Sequence, residues 1–353
     1  MNFLILEPEI DNFVFSFYCK RRKIFYHKKA DMCRGLNTTQ QEWQSCLKEI
    51  IDSFDINSYN AADTIVVIRV ICGGTVFTAP EIVNCNTITK LEQLIPHAPL
   101  HMPGTIELVK ACNNFFSSIP VLLVFGDTFF KSLPERERVY ALNRTTADKI
   151  PRERYGLNGL VHQAACFYLW RILRQRFCNC QPGVISIHLG DFPEVVALKG
   201  SRAVMLSYPL PGETFSPETD PGIILTLAQE FNWGPEKLNK ILTQKCGWYG
   251  LTGSKTDLSR IFKTDDNINA LAQQVCRYQL LQSCAAGAAV AGRIDALVFS
   301  GRFCKAGNYL RYSLKQDLET ALAGAKKDIY VDIYDQSYTA AVRDIADNYF
   351  VNY

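Results

Sequence analysis

Two cycles of alternating strand and helix patterns, each with closely spaced strand-like runs that read as hairpins, constrain this chain more than any other feature. Phe3-Leu4-Ile5-Leu6 and Phe13-Val14-Phe15-Ser16-Phe17 are joined by an acidic, proline-containing turn, which predicts a hairpin at the start of a sheet. Residues 39–54 carry apolar side chains at helical spacing, and Thr64 to Ile71 is a β-branched run. A helix follows around 104–116, then a strand over 120–125 that ends in Gly126-Asp127-Thr128. The second cycle predicts a helix over 160–177, strands over 184–189 and 194–199, a Pro/Gly/Glu-rich loop over 208–221, helix over 267–292 and strand over 295–300. A final strand and helix follow from Asp328. The pattern is α/β, repeated.

A chain of 353 residues exceeds the size at which one core usually stops growing, so two domains are expected. The polar, basic stretch 147–154 separates the cycles and sets the expected units: 1–148 with 336–353 as an N-terminal domain, and 149–335 as a C-terminal one. With 48% hydrophobic and 21% charged residues the chain is a folding sequence, not a disordered one. A net charge of +3 leaves no field for holding polyanions, so nucleic acid is not an expected partner. The basic run Lys20-Arg21-Arg22-Lys23 reads as a solvated face. No apolar stretch of about 20 residues is present, and the opening segment carries Glu7, Glu9 and Asp11 without a basic start, so neither a membrane span nor a secretory signal is expected. Thirteen scattered cysteines in a long chain read as cytosolic thiols; Cys178-Asn179-Cys180 lacks the spacer of redox or zinc motifs. The expected location is cytoplasmic.

His97-Ala98-Pro99-Leu100-His101-Met102-Pro103 resembles the His-Ala-Pro-Leu-His-Asn-Pro segment of the acetate kinase family. Arg69-Val70-Ile71-Cys72-Gly73-Gly74 precedes it, as Arg-Val-Val-His-Gly-Gly does there, and Val124-Phe125-Gly126-Asp127-Thr128 follows. Further along come Arg154-Tyr155-Gly156-Leu157-Asn158-Gly159, His188-Leu189-Gly190, Asp220-Pro221-Gly222 and Asp295-Ala296-Leu297-Val298-Phe299-Ser300-Gly301, each similar to a family segment and in the family's order. The resemblance implies the two-domain actin-like fold, with ribonuclease H-like duplicated domains, and a homodimer formed through the C-terminal domain. It also implies phosphoryl transfer between ATP and a short-chain carboxylate, with Mg²⁺.

Such transfer needs cations on the moving phosphoryl group, carboxylates for the metal and bare backbone around the phosphates. By resemblance, Arg69 is a clamping cation, although an arginine there also suits a sheet-edge carboxylate. His101, His162 and Asn158 take catalytic positions, Asn158 standing where the family has histidine. His188, Gly190, Gly301 and Arg302 fall on nucleotide-binding segments. Asp127 is a metal ligand if Gly126 is an inserted residue, and Asp335 stands near the place of the family's C-terminal glutamates. Phe215 replaces the second clamping arginine, and Asp191-Phe192-Pro193-Glu194 replaces Asn-Gly-Ala-Ser. The hairpin turn carries acidic residues and Pro8 where the family has Gly and Ser. Since close approach to phosphate needs glycine, the sequence predicts an impaired or inactive kinase. An active acyl kinase with a rebuilt site around Arg69, Asp127, His101 and His162, and a non-enzymatic dimeric scaffold, are the other readings.

Overall fold

The computed structural model describes residues 1–8, 13–20, 24–29, 38–54, 63–96, 98–99, 101–147, 153–173, 181–208, 210–215, 219–254, 256–263, 267–305, 308–321 and 328–351. His97, Leu100, residues 21–23 of the basic run, Glu9 and Asp11 of the acidic turn, Cys178-Asn179-Cys180, and residues 148–152 of the predicted boundary lie outside them.

The chain divides into two compact units, Met1–Lys131 with Tyr338–Tyr353, and Ser132–Ser337. The division falls before the polar stretch where the sequence placed it. The reason is local: edge-strand amides of Ala203 and Leu206 donate to Ser132 Oγ (3.1 Å) and Glu137 Oε2 (3.2 Å), which ties the segment after 131 to the second sheet. These side chains also cover exposed ladder groups of that edge.

In the first unit, β1 (Asn2–Pro8), β2 (Phe13–Cys19) and β3 (Ile24–Lys29) form an antiparallel meander, and β4 (Thr64–Val70) and β6 (Val121–Phe125) add in parallel beside β1. The short β5 (Glu81–Ile82) closes the edge, giving the order β3-β2-β1-β4-β6-β5. Helix α1 (Gln40–Phe54) starts at a capping box: Thr39 N donates to Glu42 Oε2 (2.8 Å) and Glu42 N to Thr39 Oγ1 (3.4 Å). Alternation along the strands buries both faces. Leu4, Leu6, Val66, Ile68 and Val70 share a core with α1 and with α3 (Met102–Phe115), which follows the short α2 (Thr87–Glu92). Phe3, Ile5, Ile65 and Val67 are also buried, because the C-terminal helix Tyr338–Val351 packs on β1, β4 and β6. Packing of this last helix on the first unit agrees with the sequence reading.

The second unit repeats the plan. After α4 (Glu135–Arg138) and α5 (Arg144–Ala147), α6 (Gly159–Leu173) leads into the antiparallel meander β7 (Gly183–His188), β8 (Glu194–Lys199) and β9 (Arg202–Leu206). Helices α7 (Pro221–Glu230), α8 (Pro235–Gln244), α9 (Gly247–Thr252), α10 (Leu258–Ile261) and α11 (Asn267–Ala291) follow, then β10 (Ala296–Ser300), α12 (Asn308–Ala321) and β11 (Tyr330–Tyr334). The order β11-β10-β7-β8-β9 mirrors the first sheet, with β10 parallel to both β7 and β11. Gly287 lets α11 approach closely, since a Cβ there would lie 2.9 Å from Ile185 Cδ1 and 3.0 Å from Ala197 Cβ. The two matching sheets make this the α/β two-domain actin-like fold.

Among the described residues no helix is long and apolar enough to cross a membrane. Nine described cysteines are free thiols.

Candidate functional site

In sheets with parallel strands, ligands meet the loops at the carboxyl ends. In the first unit that edge carries the end of β4, the loop after it and the turn after β6. Arg69, next to last in β4, donates from Nη2 to Pro8 O (3.2 Å), and its guanidinium lies 5.2 Å from the Tyr338 ring centroid. His101 is the N-cap residue of α3. Burial holds its imidazole below the ordinary histidine pKa, and the Arg69 charge adds to the effect. The structure therefore brings Arg69 and His101 into one electrostatic neighbourhood.

Asp127 is buried and bound to its own unit. Its Oδ1 accepts from Gly73 N (2.6 Å) and its Oδ2 from Gly74 N (3.1 Å), with Lys131 Nζ at 3.2 Å from Oδ2. The carboxylate thus pins the turn after β4, and Lys131 closes the same turn by donating to Gly74 O. Gly126 precedes it because the strand end leaves no room: a Cβ there would meet Ile71 O at 2.6 Å. Nearby, burial and the Asp127 charge raise the Cys72 thiol to about 11, so it is a neutral thiol at physiological pH.

In the second unit a buried polar cluster lies beneath the start of α6. Glu194, the first residue of β8, accepts from Asn158 N (2.7 Å) and Leu157 N (3.1 Å), and His162 Nε2 lies 3.3 Å from its Oε1. Burial pushes the Glu194 carboxyl up, yet His162, His188 and the Asn158 amide together hold it below its usual pKa. His162 Nδ1 is 2.7 Å from Ser186 Oγ, and Asn158 Nδ2 donates to Phe192 O (3.0 Å). Asn158 and His162 are therefore gathered around one anionic carboxylate.

His188 ends β7 with Nδ1 3.3 Å from Ser300 Oγ and its ring 6.1 Å from that of His162. The two glycines assigned to nucleotide binding wall this ring. A Cβ on Gly190 would strike His188 Nε2, and one on Gly301 (φ +88°) would lie 2.5 Å from Leu189 O and 2.9 Å from His188 Cε1. Burial, then the His162 ring, drive the His188 pKa down to about 3, so its imidazole is neutral.

Arg302 bonds Asp191 and, at 2.7 Å, Glu213 Oε2, while lying 4.4 Å from the Phe303 ring centroid. Phe192 and Phe215 meet edge to face at 5.4 Å in the same loops. The Phe215 loop is rigidly held: Gly212 N donates to Phe215 O (2.8 Å), and Cys246, Trp248 and Tyr249 amides bond Thr214, Gly212 and Glu213 carbonyls. Asp335 pairs with Lys305 at the surface. No group of three or more metal-ligating side chains occurs among the described residues. Hard magnesium takes free carboxylate oxygens and waters; Asp127 has both oxygens engaged and Asp335 faces an ammonium, so this donor set does not fit the ion.

Glu194, Ser186, Lys131 and Tyr338 belong to these clusters and were absent from the sequence-level candidates. Glu194 carried a signal, a lone carboxylate directly after Pro193 that opens onto the apolar run Val195 to Leu198.

The chain is similar to curated acetate kinases. That of Thermoanaerobacter pseudethanolicus is 30% identical over 71% of this chain and 65% of its own length. That of Corynebacterium efficiens is 29% identical over 72% and 64%. The matched stretch thus spans just under two thirds of these relatives' own length. Among solved structures, Porphyromonas gingivalis acetate kinase superposes with a TM-score of 0.84 at 20% identity over 99% of each chain. A propionate kinase from Francisella tularensis gives 0.77 at 18% over 98% of each. At these identities the likeness concerns the fold. The model of the acetokinase family matches residues 5–336, and the chain belongs to that family.

Proposed function

We propose that this acetokinase-family chain is impaired or inactive in the family reaction, ATP + acetate giving acetyl phosphate + ADP, and acts as a binding or regulatory partner. One observation carries the reading. Arg302, on a predicted nucleotide segment, is ion-paired with Asp191 and Glu213, and Phe192 and Phe215 are packed together in the neighbouring loops. Loss of one transition-state donor typically lowers rate by about 100- to 1,000-fold, and loss of an arginine clamp by roughly 1,000-fold or more. The poor fit of Asp127 and Asp335 to Mg²⁺ supports the same conclusion, and with it a weak hold on ATP.

The Arg69 charge near His101 favours a second reading, an active kinase for another short-chain carboxylate, since an arginine fork suits a carboxylate. Exposed Ile223, Leu225 and Phe231 along and just after α7 support the homodimer expected through the second unit, and a scaffold role with it. A strictly monomeric mass in solution would count against both the dimer and the scaffold.

Trapping acyl phosphate with hydroxylamine tests the reading. With ATP, Mg²⁺ and acetate, propionate or butyrate, no hydroxamate above the no-enzyme blank is expected. Sustained turnover that drops by at least about tenfold in Arg69→Ala would replace it with the second reading.

A further inference from the structure

At the edge of β9 the second unit contains a cavity of about 480 Å³, within the range of small-molecule sites. It opens between β9, the α4 segment and one face of α11, and none of the predicted catalytic or nucleotide-binding residues lines it. Its apolar floor is formed by Met205, Leu206 and Leu210. Gln282, Ser283 and Ala286 line the α11 side, at the helical spacing that places them on one stripe.

The charged end of the cavity is Arg154. Its Nη2 donates to Leu206 O and Ser207 O, and its guanidinium lies 4.5 Å from the Tyr208 ring centroid, so the group is fixed in place. Its Nε is buried without a hydrogen-bond partner among the described residues. The guanidinium lines the cavity, so its fixed positive charge is available to an anionic ligand there. Arg136 adds a second cation at the rim. The one lining carboxylate among the described residues, Glu137, accepts from Leu206 N at 3.2 Å. Its described lining therefore carries two cations to one carboxylate, with hydrocarbon from Met205, Leu206 and Leu210.

We propose that this cavity binds a small monocarboxylate whose apolar body is longer than that of acetate. The carboxylate meets the Arg154 edge, assisted by Arg136, and the hydrocarbon lies on Met205, Leu206 and Leu210. The site depends on neither reading of the phosphoryl-transfer chemistry.

Calorimetric titration of the full chain with hexanoate, and with neutral hexanamide, tests the proposal. Hexanoate is expected to bind saturably below about 10 mM, and hexanamide at least about tenfold more weakly, as loss of a charge-assisted bond predicts. Ala286→Phe, a substitution at an exposed helix position that fills the cavity, is expected to abolish binding; Arg154→Gln should weaken it by about tenfold or more. If Arg154→Gln does not fold, Ala286→Phe alone decides. Unsaturable hexanoate, hexanamide binding as tightly, or unchanged affinity in Ala286→Phe would each overturn the assignment.

Discussion

His188 is predicted to remain neutral far below the pH at which an ordinary histidine protonates. Its ring is buried between Gly190 and Gly301, hydrogen-bonded to Ser300, and beside the His162 ring. These surroundings lower its pKa from 6.5 to about 3. At about 1.36 kcal/mol per pKa unit, placing a proton there costs on the order of 4–5 kcal/mol. The sign follows from linkage. The unfolded chain takes up this proton as pH falls through about 6.5, while the folded chain does not until about 3, so stability is complete above that range and declines within it. The decline from this one group is about 1.4 kcal/mol per pH unit. Carbon–proton correlation spectra of the five histidine rings, with His188→Gln as the assignment control, give the test. The His188 resonance should show no inflection between pH 7.5 and about 4.5, and the variant should lose one proton's worth of acid sensitivity in chemical unfolding. A His188 midpoint near 6.5, or identical acid slopes for both proteins, would refute the burial argument.

Glu194→Gln replaces an acceptor-only group under α6 with one that presents an NH₂ to backbone amides; a loss of about 2–4 kcal/mol is expected by calorimetry, and a loss under 0.5 kcal/mol would mean that the clamp is weak. The wild-type Glu194 contribution should be present above the usual carboxylate range and vanish as pH falls through its lowered folded pKa. Asp127→Asn should destabilise the first unit by about 2–3 kcal/mol, because its amide faces Gly73 or Gly74 N–H, and proteolysis of the native state should quicken within residues 70–80. Gly301→Ala, at φ +88° with Cβ 2.5 Å from Leu189 O, should cost at least about 2 kcal/mol; an unchanged melting temperature would contradict it.

Much of the fold is legible in the chain. Phe3 to Leu6 and Phe13 to Phe17 form the predicted hairpin, and the β-branched run from Thr64 becomes β4, because period and residue type alone select a strand. The 194–199 strand matches its predicted bounds. The domain boundary was less legible, since Ser132 and Glu137 bind edge amides of β9, and no local pattern announces a side chain that caps a distant strand. The site was legible only as a list of residues. Asp127 reads as a free carboxylate in sequence, yet its two oxygens satisfy the Gly73 and Gly74 amides, a pairing across more than 50 positions. Gly190 and Gly301 fall on nucleotide-binding segments by resemblance, and the contact of both with the His188 ring is a packing role that no local pattern shows. Glu194 stands out in sequence as a lone carboxylate, but its anchoring role comes from the amides of Leu157 and Asn158, more than 30 positions away.

Titration of the full chain with ATP in excess Mg²⁺ by calorimetry bears most directly on the proposal that its strand-end loops no longer accommodate a nucleotide. No saturable heat up to a few millimolar is expected, which corresponds to a binding free energy weaker than about −4 kcal/mol. A saturable isotherm at micromolar ATP, reduced in Arg302→Ala, would contradict it.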